Sequence, residues 1–107
     1  MNNTEFLEAY NKHKGMIIKI VSTSFNNLPN TSILEKEDLT QICSHVLWKC
    51  LEGFDPNRKT KFSTYLYTSL HYKMGRILKY EWKKYNEWNT NVIGVLKKYE
   101  KNWKTKI

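Results

Sequence analysis

The segment Phe54–Tyr67, FDPNRKTKFSTYLY, combines cationic and aromatic side chains over a short distance. The cations are Arg58, Lys59 and Lys61, and the rings that follow them are Phe62, Tyr65 and Tyr67. Lysine and arginine neutralise phosphates, and rings stack on unpaired bases, each stack contributing about 1–3 kcal/mol. The segment therefore predicts a surface that holds a phosphate chain and captures single-stranded bases.

Charge is divided unevenly between the two halves of the chain. Residues 1–55 hold five lysines and seven carboxylates, a net charge of −2, whereas residues 56–107 hold thirteen cations and three carboxylates, a net charge of +10. This division predicts one partner for the first half and a polyanion for the second half. The polyanion could be nucleic acid or an anionic membrane surface.

Length and composition predict one globular domain. The chain has 107 residues, of which 40% are hydrophobic, so it can form a core of its own. It contains no run of about 18 apolar residues, and its start, MNNTEFLEAYNKH, lacks the features of a secretory signal. We expect a cytoplasmic protein with no membrane partner.

The two cysteines are expected to be buried thiols. On one helix, Cys43 and Cys50 would lie about 10 Å apart along the axis. This separation is too large for a disulfide, and two cysteines alone do not make a metal site. We predict no cofactor and no metal.

The pattern of apolar residues predicts an all-α fold with four helical segments. Leu39, Cys43 and Leu47 belong to the clearest apolar stripe, which is centred on Val46. Ser63 is a suitable N-cap for the third helix. The predicted helices are Thr4–Ser24, Lys36–Glu52, Ser63–Tyr85 and Thr90–Lys104.

Two helical faces are not explained by a core. On the second helix, the polar side opposite the stripe includes Asp38, Gln41, His45 and Trp48. An exposed Trp48 would suit a protein partner, although the first helix or the tail could cover it, and Asp38 and Gln41 could simply be solvated. On the third helix, the face opposite the buried stripe carries Tyr65, Ser69, Tyr72, Arg76, Lys79 and Lys83.

The face of the third helix suits a nucleic acid, because its phenol rings lie among cations. The alternative is an ordinary basic amphipathic helix whose tyrosines cover neighbouring residues. A membrane-surface helix fits less well, since the apolar face has a core to fill. No phosphate-binding glycine loop, paired catalytic carboxylates or nucleophile with a base is present in the sequence, so we predict that the protein is not an enzyme.

Three motifs together resemble region 2 of the sigma-70 family of bacterial transcription initiation factors. They are EDLTQ (Glu37–Gln41), LWKCLEGFDP (Leu47–Pro56) and KFSTY (Lys61–Tyr65), and their order and spacing match the family without a gap. The resemblance covers about residues 5–85. It implies a compact all-α domain of three to four helices at residues 1–85, followed by a basic, aromatic C-terminal helix or tail at residues 86–107.

The resemblance implies roles for both faces. Asp38 and Gln41 would bind the clamp helices of the RNA polymerase β′ subunit, with His45 and Trp48 at neighbouring positions. Tyr65 would stack on a flipped adenine of the minus-ten promoter element. The other predicted DNA-binding residues are Arg58, Lys59, Lys61, Phe62, Ser63, Thr64, Ser69, Tyr72, Arg76 and Lys79.

The sequence departs from housekeeping members of the family at several positions. Thr68 and Ser69 replace a tryptophan pair, Tyr72 replaces a glutamine, and Ile42 replaces a glutamate. These changes predict an alternative promoter specificity. The helix-turn-helix of region 4 is not in the sequence, so we expect either an excised domain or a minimal factor of a phage or mobile element, for which a second protein would supply the upstream promoter contacts.

The function that we predict is transcription initiation: binding of core polymerase and melting of the minus-ten element. Two alternatives stay open at this point. One is a sigma-like regulator that binds core polymerase and blocks or redirects the host sigma factor. The other is a general nucleic-acid-binding protein with no polymerase partner.

Overall fold

The computed structural model describes residues 2–105, with side chains as far as residue 98. It has three helices: α1 spans Asn3–Asn26, α2 spans Lys36–Gly53 and α3 spans Phe62–Thr105. No strand occurs within residues 2–105, and the predicted all-α fold is confirmed. Among these helices, none is both long enough and apolar enough to cross a membrane.

The hydrophobic core lies where the three helices meet. It consists of Ile17, Ile20 and Val21 from α1, Leu39, Cys43, Leu47 and Cys50 from α2, and Leu66, Leu70 and Met74 from α3. Ile42 and Val46 are only partly buried. The buried stripe of α2 is therefore rotated away from its predicted centre at Val46, towards Leu47, because α1 and α3 both pack on this helix.

Both cysteines are buried and free, as predicted. Burial in the apolar core raises the pKa of the Cys43 thiol to about 11. Cys43 and Cys50 therefore serve as small core side chains.

The starts of α1 and α2 are fixed by side-chain hydrogen bonds. The Glu5 amide donates to Asn2 Oδ1 at 2.8 Å, and the Glu35 amide donates to Asp38 Oδ2 at 2.8 Å. The second bond belongs to a capping box, in which a residue of the first helical turn bonds to the backbone that precedes the helix. Asp38 therefore stabilises α2, whatever else it binds.

The turn between α2 and α3 is built on Asp55. Its Oδ1 accepts the Asn57 amide at 2.9 Å, and its carbonyl oxygen accepts the Arg58 amide at 3.0 Å. Because a residue that precedes proline disfavours helical geometry, Asp55 and Pro56 end the helical path after Gly53. The turn directs Arg58 towards the first turn of α3.

The start of α3 differs from the prediction. The helix begins at Phe62, and the carbonyl oxygen of Lys61 accepts the Tyr65 amide at 3.1 Å. The prediction of Ser63 as the N-cap is therefore wrong, because Ser63 lies inside the first turn.

The predicted third and fourth helices form one continuous helix of 44 residues, about 66 Å long at 1.5 Å per residue. The segment between them, residues 86–89 (NEWN), has modest helix propensity but no proline or glycine that would end a helix. Within residues 2–98 the last buried residue is Glu81, and Trp88 is already 55% exposed. The indole N–H of Trp82 donates to the Asn27 carbonyl oxygen at 2.8 Å and ties α3 to the end of α1.

Candidate nucleic-acid interface and protein-docking surface

An aromatic cluster supports the first turn of α3. The ring centroid of Phe54 lies 5.2 Å from that of Phe62 and 5.6 Å from that of Tyr65. On the other side, the Phe62 ring lies 5.3 Å from the imidazole of His13 in α1. Burial, together with the charge of Lys12, lowers the pKa of His13, which favours the neutral imidazole among these rings. Phe62 therefore supports the surface from beneath.

Tyr65 forms a cation–π pair with the turn. The guanidinium carbon of Arg58 lies 5.4 Å from the centroid of the Tyr65 ring. Tyr65 is half-buried, whereas Arg58, Lys59 and Lys61 are exposed. A partly accessible ring with one cation beside it and two more exposed in the same turn can bind a flat, electron-rich group that is joined to an anionic chain.

A groove lies between α2 and α3 next to Tyr65. It has a volume of about 340 Å³, and its lining includes Tyr65, Ser69, Lys49 and Lys73. Lys49 and Lys73 are not among the residues that the sequence predicted for DNA binding. Helical spacing could have indicated Lys73, because it lies four residues after Ser69 at the edge of the buried stripe. That both lysines border one groove follows only from how α2 packs beside α3.

The outer face of α3 continues the cation and ring pattern. Tyr72 is 68% exposed, and the guanidinium carbon of Arg76 lies 5.8 Å from its ring centroid. Lys79 and Thr64 are also exposed, whereas Ser63 and Ser69 are half-buried. The predicted DNA-binding residues thus share one end and one side of α3, with Phe62 as the supporting member.

The polar face of α2 borders a second groove. Asp38, Gln41 and His45 are exposed and line a groove of about 570 Å³. The rest of its lining is Ile33 and Leu34 from the loop that precedes α2, Ile42 from α2 and Lys73 from α3. We call this the docking groove. Lys73 borders it as well as the groove beside Tyr65, so the two predicted surfaces adjoin each other.

Trp48 is not the exposed anchor that the helix projection suggests. It is half-buried, and its ring centroid lies 5.3 Å from that of Phe6 in α1. The first helix therefore covers this tryptophan, which is one of the possibilities that the sequence left open. Trp48 lies outside the lining of the docking groove.

Comparison with known families and structures gives one result. The family model for sigma-70 region 2 matches residues 9–84. No curated protein and no solved structure matches the chain significantly. Domains of this family generally bind core RNA polymerase and promoter DNA. Because the match covers more than half of the sequence, including all of α2 and parts of α1 and α3, the chain belongs to the sigma-70 region 2 family.

Proposed function

We propose that this protein is a sigma-type transcription initiation factor. It binds the clamp helices of the β′ subunit through α2 and melts the minus-ten element by capturing bases of the non-template strand at the start of α3. The observation that carries the proposal is the adjacency of two unlike surfaces on one small domain. One is the docking groove with Asp38 and Gln41, and the other is the cation and ring surface around Arg58 and Tyr65.

The acidic charge of α2 supports the proposed binding to the polymerase clamp. The start of α2 is acidic, with Glu35, Glu37 and Asp38 all exposed. A basic helix of the partner would meet favourable charge there, which promotes encounter and sets orientation. Gln41 and His45 lie one and two turns further along the same face and offer hydrogen bonds.

The Arg58–Tyr65 pair supports the DNA half. Guanidinium groups and tyrosine rings both stack on flat bases, so an unstacked base could enter between these two side chains. Phe54 packs against Tyr65 from within the domain and holds the ring in place. Binding at such a site loses little conformational entropy, because only the exposed Arg58 has to move.

The surrounding cations supply affinity that does not depend on sequence. Lys59 and Lys61 are exposed in the turn that precedes α3, and Arg76 and Lys79 extend the positive surface along α3. Binding should weaken steeply with salt, because each neutralised phosphate contributes about 0.7–0.9 to the logarithmic slope. A Lys59→Ala variant should lower that slope by about 1 without changing sequence preference.

Promoter opening provides the test of this function. Core polymerase with the wild-type protein should make non-template thymines reactive to permanganate on promoters selected from random AT-rich DNA. Tyr65→Leu, which keeps apolar volume but removes the ring, should abolish opening while core binding persists, and Tyr65→Phe should retain opening. Core binding without opening by the wild-type protein would instead indicate a regulator of the host sigma factor. DNA binding without core binding would indicate a general nucleic-acid-binding protein.

A further inference from the structure

Ile33 projects into solvent from a well-anchored loop. It is 88% exposed, more than any other large apolar side chain in residues 2–98. On one side of it, the Ser32 amide donates to the Pro29 carbonyl oxygen at 3.0 Å. On the other side, the Leu34 amide donates to Ser32 Oγ at 3.3 Å, and Leu34 packs against the core. The fold therefore holds Ile33 in an exposed position next to a neighbour that is partly buried.

The position of Ile33 is at the rim of the docking groove. Leu34 and Ile42 form the apolar part of that groove with Ile33. Its polar part consists of Asp38, Gln41, His45 and Lys73. Ile33 also lines a third groove, of about 500 Å³, which reaches Trp88 of α3. Ile33 thus lies in the middle of a partly apolar surface, rather than as an isolated residue on a polar one.

We infer that Ile33 is the apolar anchor of the polymerase interface. This inference rests on the proposed function and extends it, because Trp48, which would suit a partner only if it were exposed, is covered by Phe6. The occupant is the β′ clamp helix that Asp38 and Gln41 are proposed to bind. Its chemistry follows from the lining: an apolar side chain to cover Ile33 and Leu34, flanked by lysine or arginine to face the acidic start of α2.

The test is a titration of core polymerase with the full chain and its variants. Ile33→Ser should raise Kd at least about tenfold, equivalent to about 1.4 kcal/mol, while Ile33→Met should bind like the wild-type protein. Ile18→Ser is the matched control, because Ile18 is 52% exposed on α1 and lies outside the docking groove. This control should bind core polymerase normally. All three variants should melt at the wild-type temperature, since neither isoleucine belongs to the core.

Any of the following results would overturn the inference about Ile33, and they show whether the proposed function falls with it. If Gln41→Ala weakens core binding and Ile33→Ser does not, docking through α2 stands and the anchor role of Ile33 falls. If the wild-type protein does not bind core polymerase, both fall. If Ile33→Ser instead abolishes a dimer seen by light scattering, the occupant is a second copy of this chain. A lower melting temperature for Ile33→Ser would show a structural role.

Discussion

Asp38 has two roles in this account, and substitution can separate them. Its Oδ2 accepts the Glu35 amide at 2.8 Å, and its charge lies near the positive N-terminal end of α2. Loss of a capping box costs about 0.3–1.5 kcal/mol, and loss of the favourable charge costs about 0.3–1 kcal/mol. Asp38→Ala loses both, about 1–2 kcal/mol together, whereas Asp38→Asn keeps an acceptor oxygen and loses only the charge.

Thermal unfolding measures the capping and charge contributions of Asp38 separately. A change of about 1 kcal/mol shifts the Tm of a domain of this size by about 4–8 °C, so Asp38→Ala should melt at least several degrees lower than the wild-type protein. Asp38→Asn should lie close to Glu37→Ala, the matched control that removes a charge from the same helical turn. Equal Tm values for Asp38→Ala and Glu37→Ala would refute the capping role.

The result bears on how core binding is assayed. Weak binding of Asp38→Ala to core polymerase would have two possible causes, a destabilised α2 and a lost contact, and the assay would not distinguish them. Asp38→Asn and Gln41→Ala avoid this problem, because the first retains the cap acceptor and the second changes an exposed side chain in the second turn. These two variants are therefore the ones to compare with the wild-type protein.

Three further predictions concern stability and reactivity. Trp82→Phe should lower the unfolding free energy by about 0.5–1.5 kcal/mol in chemical denaturation, because it removes the hydrogen bond to Asn27, while Trp88→Phe should have little effect. With the pKa of Cys43 raised to about 11 by burial, its thiol should react with a disulfide reagent at pH 8 only after denaturant is added; fast labelling of the native protein would contradict this. A chain that ends at Tyr85 should keep the circular-dichroism melting temperature within a few degrees, since no residue from 82 to 98 is buried, and a collapse of Tm would show that the distal helix supports the domain.

Local patterns were sufficient to predict much of the fold. The stripe through Leu39, Cys43 and Leu47 has helical spacing, and it is buried because only one side of α2 is continuously apolar. The turn residues Asp55 and Pro56 likewise predict the break before α3. These features depend on neighbours in sequence, so a single chain reveals them.

The sequence alone does not determine features that depend on neighbours in space. Trp48 lies opposite the apolar stripe on a helix projection, but α1 crosses that side and Phe6 covers the ring. Lys49 and Lys73 border the groove beside Tyr65 only because α2 and α3 pack side by side. Ile33 carried no signal in the sequence, since an isoleucine in a loop does not reveal whether it is buried.

The continuity of α3 was missed for a different reason. Asparagine at positions 86 and 89 favours a loop by composition, but its cost in a helix is at most about 0.7 kcal/mol per residue. Without a proline or a glycine in that segment, the helical path from Phe62 continues. A compositional dip alone does not end a helix.

Docking through α2 can be measured as the binding of fluorescently labelled protein to purified bacterial core RNA polymerase. We expect saturable binding that Gln41→Ala and Asp38→Asn both weaken, while Arg58→Ala, on the surface proposed to bind DNA, leaves it unchanged. Absence of binding by a folded wild-type protein, or binding that depends on Arg58 and not on Gln41, would contradict docking through α2.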